Sequence, residues 1–154
     1  MTFPSGDSSA SDEDADGPQT LHATSVALGD RGVLIRGASG SGKSSLALQL
    51  IALGASLVAD DRTIVHRSFD GVSLMAPDTL IGKIEARGVG ILPAPTTSCA
   101  KLTLIVEMDR TEDDRLPPWR QACLLGHSVP VLRKLEAAHF PAAILLYLKH
   151  GRVD

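Results

Sequence analysis

The stretch Gly37-Ala38-Ser39-Gly40-Ser41-Gly42-Lys43-Ser44 constrains the fold of this chain more than any other, because it spells G-x-x-x-x-G-K-S. Glycines let successive backbone N–H groups turn inward and approach phosphate oxygens closely. The lysine sets a point charge on the β- and γ-phosphates, and the serine hydroxyl can ligate Mg²⁺. Such a loop joins a buried strand to the first turn of a helix, and its flanks agree. Val33-Leu34-Ile35 is short, apolar and β-branched, the residues from Ser45 to Leu53 are helix formers, and Gly54 stops the helix. A dinucleotide fingerprint does not fit: in Gly40-Ser41-Gly42-Lys43-Ser44-Ser45 the last position is serine, where close helix packing needs glycine or alanine. Nucleotide binding through phosphates is the first expectation.

A chain of 154 residues with 44% hydrophobic content is long enough for one core and too short for two ordinary domains. Residues 1–18 hold Asp7, Asp12, Glu13, Asp14 and Asp16 with no Lys or Arg, and are predicted to be a disordered acidic tail ahead of a single P-loop domain over 19–154. Of 18 acids in all, those five lie in the tail. The remaining 13 face 15 Lys and Arg, so the body carries about +2 rather than the −3 of the whole chain. That charge suits an anionic nucleotide and is too small to argue for nucleic acid. Cys99 and Cys123 have neither C-x-x-C spacing nor a metal spacing with the histidines and read as reduced structural thiols. No basic region followed by an apolar one opens the chain. The apolar run from Ala142 to Leu148 is far short of a membrane span, so a soluble cytoplasmic domain is expected.

In chain order, residues 20–27 and 33–36 read as two antiparallel strands, the second feeding the loop. His22, in the first, gains interest only if the fold brings it beside the phosphates. After Gly54 a short strand, 55–59, ends in Asp60-Asp61, where α/β folds place ligand-contacting groups. Neighbours at a strand end point opposite ways, so the two acids need not share one job. Residues 62–66 and 69–75 predict a strand and a hairpin return, and 77–83 a helical turn or loop. In Ile84-Glu85-Ala86-Arg87-Gly88-Val89-Gly90-Ile91 a lone glutamate precedes an arginine and two glycines, as a tight bend near a charged group would require. Residues 102–108 predict a central strand, 109–118 a charged turn, 128–131 a short strand, 132–139 a helix and 142–149 a second helix behind Pro141.

The order and spacing of four groups resemble the catalytic domain of the HPr kinase/phosphorylase family, which phosphorylates a serine of the phosphocarrier protein HPr. These are the G-K-S loop, Ala59-Asp60-Asp61 with Asp61 eighteen residues after Lys43, the I-E-x-R-G-x-G-I stretch, and His22 upstream. The resemblance spans residues 19 to 135 or so, like a short form without the family's separate N-terminal domain. It implies an α/β P-loop fold of the HPr kinase and phosphoenolpyruvate carboxykinase type, a mixed central sheet with flanking helices. It also implies ATP and Mg²⁺ as cofactors, HPr as partner and a homo-oligomer, a hexamer. By the same resemblance Lys43 is the loop lysine and Ser44 the metal-binding hydroxyl. Asp61 is the base in phosphorylation and the acid in its reversal, Asp60 assists near the metal, and Glu85 is a second metal ligand. His22 is the histidine near the transferred phosphate, and Arg115 matches a catalytic arginine.

Two departures are small, Ala23 for a glycine after the histidine and Ser45 for a glutamate after G-K-S. A third is larger: a Pro-Val-x-x-Gly-Arg-Asn loop that serves dephosphorylation is here Pro130-Val131-Leu132-Arg133-Lys134-Leu135. A kinase-dominant enzyme with weak or absent phosphorylase activity is the resulting expectation. Two other classes stand beside it: a nucleotide-sensing module that binds without transfer, and a small-molecule kinase.

Overall fold

In a computed structural model, which describes residues 17–78 and 81–154, the chain opens with strands β1 (Gln19–Leu21), β2 (Ala23–Leu28) and β3 (Arg31–Arg36), then helix α1 (Lys43–Ala52). Strands β4 (Ser56–Ala59), β5 (Thr63–Ser68), β6 (Gly71–Met75), β7 (Lys83–Ala86) and β8 (Gly90–Pro93) follow. The long β9 (Cys99–Thr111), β10 (Gln121–Leu124), β11 (His127–Lys134) and helix α2 (Phe140–His150) complete it. The acidic tail falls on residues 1–16, outside the described residues except for Gly17 and Pro18, and the loop over 77–83 falls there in part.

The result is a mixed α/β fold around a curled sheet of nine strands with the path β1-β5-β6-β9-β3-β2-β4, β11 pairing with β9 and β10 with β11. β7 and β8 form a separate hairpin. β9 explains the curl. One edge runs parallel to β3, and the other is divided, Cys99 to Lys101 pairing antiparallel with β6 and Ile105 to Glu107 pairing parallel with β11. The run from Leu102 to Val106 lacks apolar–polar alternation because both faces of this strand are covered. Leu104 and Val106 join the core under the helices, while Leu102 and Ile105 join the core on the opposite face. Val33 and Ile35 split from Leu34 in the same way.

Among the described residues the two helices lie on one face, Leu46 and Leu50 of α1 meeting Ile144 and Leu148 of α2 in one cluster. The other face is covered by strands, with Val65 and Val72 of the β5–β6 hairpin and Val129 of β11. Among the described residues the expected flanking helices are thus on one side only. The segment 144–148 belongs to this core, with Leu146 alone of its leucines facing out.

Three expectations give way to the structure. Residues 20–27 are not one strand: the chain breaks at His22, β1 pairing with β5 and β2 with β3 and β4. Residues 132–134, expected in a helix, continue β11 as far as Lys134, and the helix begins at Phe140 with Pro141 in its first turn. The spacing of Leu132, Leu135 and Ala138 imitates a helical face, but the backbone of 131–133 is spoken for by the ladder with β9. Residues 121–124 form a further strand. Cys99 and Cys123 are free and both exposed, so neither packs as a structural thiol.

Candidate active site

The glycine-rich loop follows β3 and turns into α1 at Gly42, whose φ of 102° is a left-handed conformation at the N-cap. Gly37 (φ 154°) has a second constraint: a Cβ there would stand 2.8 Å from Ser41 Oγ and 3.0 Å from Met108 Cβ. Only a glycine lets the end of β9 pass that close. Asp109, the residue after Met108 on β9, accepts the Ala38 N–H at 2.9 Å and fixes the loop from that side. Lys43 is almost wholly buried, and its ammonium donates to the carbonyls of Gly37 at 2.8 Å and Ala38 at 3.1 Å. Lys134, at the end of β11, donates to Ser41 O at 3.3 Å. Two cations therefore rest on loop carbonyls from different directions, while the Ser41 hydroxyl is buried without a partner.

Across from the loop, β4 ends at Ala59 and the two acids that follow it diverge. Asp60 turns to the loop, its Oδ1 accepting from Ser44 Oγ at 2.6 Å and Thr24 Oγ1 at 3.1 Å and its Oδ2 accepting the Glu85 N–H at 3.2 Å. Asp61 has a left-handed backbone (φ 69°) and turns away, its Oδ1 2.7 Å from His22 Nε2. An ionised carboxylate only accepts, so the proton of that contact sits on Nε2. Both side chains of the pair are more than half exposed. Burial around Thr24 is complete, and the same hydroxyl accepts the Asp61 N–H at 3.1 Å.

Between loop and acids lies an open cleft of about 430 Å³. Gly40, Lys43 and Ser44 line it from the loop, with Asp61, Glu85 and Arg87 opposite. The last two come from the β7–β8 hairpin, where Ile84 and Ala86 are buried and Lys83 and Glu85 point out, so that alternation alone aims the carboxylate into the cleft. Residues 37–44, His22, Asp60, Asp61 and Glu85 are thus brought together. Arg115 is not: it stands exposed in the turn after β9 and lines none of the cavities described.

Four residues enter that sequence reasoning had not singled out: Thr24, Arg87 as a cleft residue in its own right, Asp109 and Lys134. Asp109 and Lys134 carry a usable signal, since Lys134 ends β11 and Asp109 lies near the end of β9, two strands parallel to β3, on the sheet edge where α/β folds gather ligand contacts. Among the described residues no three His, Cys, Asp or Glu side chains converge as a metal cage.

Residues 16–115 match the model of the HPr Serine kinase C-terminal domain. The HPr kinase/phosphorylase of Aromatoleum aromaticum is 40% identical over 150 residues and that of Azoarcus sp. 38% over 143, each alignment taking in 82% of this chain and 45% of the relative. This chain spans about half the length of the curated relatives it matches. The solved HPr(Ser) kinase/phosphatase of Coxiella burnetii superposes with a TM-score of 0.72 at 27% identity, over 85% of this chain and 88% of that one. Sequence match and curled-sheet architecture agree, and the chain belongs to the HPr serine kinase C-terminal domain family.

Proposed function

We propose that the protein is an ATP- and Mg²⁺-dependent serine kinase whose acceptor is HPr, with weak or absent phosphorylase activity. The observation that carries this reading is the divergence of Asp60 and Asp61. One carboxylate is bonded to the loop serine, and its neighbour faces the open cleft beside a histidine. The β-phosphate lies on the loop amides and the N-terminus of α1. Lys43 needs only to leave the carbonyls of Gly37 and Ala38 to face the β- and γ-phosphates.

The donor set fits a hard divalent ion. Ser44 Oγ and Asp60 Oδ1 are adjacent oxygens at the phosphate end of the loop, Glu85 stands beside them, and an ion that takes its other ligands from phosphates and water needs no protein cage. When bound, the ion neutralises charge that gathers on the transferring phosphoryl group. Asp61 orients the seryl hydroxyl and receives its proton, with His22 holding the carboxylate in place. Arg87 adds positive charge from the hairpin. Lys134, Leu135 and Glu136 stand where the resemblance expects Gly-Arg-Asn, so no arginine is available at position 135 for the reverse reaction.

Incubation with ATP, Mg²⁺ and HPr is expected to add one phosphate to HPr by mass spectrometry. Asp61→Asn should keep nucleotide and lose about 10²–10⁴-fold in rate, the range of general acid–base catalysis. Lys43→Ala should lose roughly 10- to 100-fold in nucleotide affinity, the worth of a charged hydrogen bond. Unmodified HPr would reject the kinase. Full rate in Asp61→Asn would reject the role given to that residue.

A further inference from the structure

A second groove, of about 300 Å³, lies beside the cleft and shares Gly42 and Ser45 with it. Its walls are apolar: Leu46 of α1, Met108 near the end of β9, Leu135 just after β11 and Phe140 at the start of α2. Gln49, Lys134 and Glu136 supply its polar groups. We propose that this groove seats the nucleoside of the nucleotide whose phosphates the loop holds. The inference rests on the reading of residues 37–44 as a triphosphate site and extends it to a part of the ligand that the loop motif does not describe.

Direction decides the assignment. The group being transferred must lie at Asp61, so the triphosphate runs from that acid back along the loop and the nucleoside leaves at the opposite end. The cavity lined by Thr20, Leu21 and His22 also includes Asp61 and is therefore at the transfer end. The groove excludes Asp61 and touches the loop at Gly42 and Ser45, the side on which a P-loop holds the α-phosphate. Its chemistry suits a nucleoside. Two aliphatic side chains, a polarisable thioether and an aromatic ring can enclose a flat heterocycle. Lys134, 3.3 Å from Ser41 O, sets a cation where the α-phosphate meets the ribose. The Glu136 carboxylate, 3.9 Å from that ammonium and exposed, is an acceptor for ribose hydroxyls.

The test compares ATP with inorganic tripolyphosphate, both with Mg²⁺, by calorimetry on the wild type and on Ala137→Trp, which fills the groove from its rim. The wild type should bind ATP at least about tenfold more tightly than tripolyphosphate. Ala137→Trp should bind tripolyphosphate as the wild type does and lose the advantage of ATP. An undiminished advantage in the variant overturns the proposal, and so does a wild type that binds both ligands equally while the phosphate-loop reading stands. A wild type that binds neither sinks the phosphate-loop reading, and this one with it. Should the variant fail to fold, seen as lost tripolyphosphate binding, photolabelling of the wild type with 8-azido-ATP decides. An adduct within residues 45–49 or 134–141 supports the groove, and one within 20–22 or 83–91 refutes it.

Discussion

A single hydroxyl, Thr24 Oγ1, touches both acids of the cleft, donating to Asp60 and accepting from the Asp61 amide. Asp61 needs that anchor because its left-handed backbone costs a non-glycine residue about 1 kcal/mol or more unless its surroundings hold it. Thr24→Val keeps the shape and deletes both bonds. It should lower stability by about 1–3 kcal/mol in thermal denaturation, and lower the rate by roughly tenfold to a hundredfold through displaced carboxylates. Thr24→Ser should restore most of each, which a loss of packing alone would not allow. Asp60 and Asp61 were legible because a motif and strand alternation both point to them. Thr24 was not, since its importance depends on β2 lying between β3 and β4, a long-range pairing that no local pattern encodes. His22 sat between these cases: its neighbour became visible only when the chain broke between β1 and β2.

At the scale of elements, the loop and α1 were readable because each step is local: an apolar strand, glycines, a lysine, then helix formers to Gly54. β11 was misread in part because its residues 132–134 carry helical spacing while their backbone completes a parallel ladder. The close packing of β3 was also hidden. Gly32 lies where a Cβ would meet Leu74 Cδ1 at 2.8 Å, Ala100 Cβ at 3.1 Å and Lys101 O at 3.2 Å. Leu74 is itself fully buried and cannot swing clear. Gly32→Ala should therefore destabilise by about 1–3 kcal/mol, the usual cost of overpacking a core. A Tm several degrees below that of the wild type, with tripolyphosphate binding intact well below that temperature, is the expected observation. An unchanged Tm would mean that β3 and β6 have room the structure does not show.

For the molecule as a whole, the irregular chain after β9 is tied down by one charged group. Burial pushes the Glu112 carboxyl up, but the amides of Asp114 and Asp113 and the Arg120 guanidinium outweigh it and hold the group below the usual glutamate range. A depressed folded value contributes stability that is fully present above the unfolded value, about 4.3 for glutamate, and that is lost as pH falls through the folded one. Wild type should accordingly lose more stability than Glu112→Gln on acidification from pH 5 downward. Denaturant midpoints that fall in parallel for the two proteins would rule this out.

The Glu112 amide also donates to Lys134 O, which joins the end of β9 to the end of β11. β9 is thereby paired over much of its length, with β6 from Cys99 to Lys101, with β3 from Lys101 to Glu107 and with β11 from Ile105 onward. The same strand delivers Met108 to the groove and Asp109 to the loop. Outer strands such as β1 and β10 can peel away alone, but Met108 and Asp109 leave their places only when β9 breaks out of the centre of the sheet, so the groove and the loop contact share one unfolding event. A ligand held at the proposed groove or at the loop should slow amide exchange along β9.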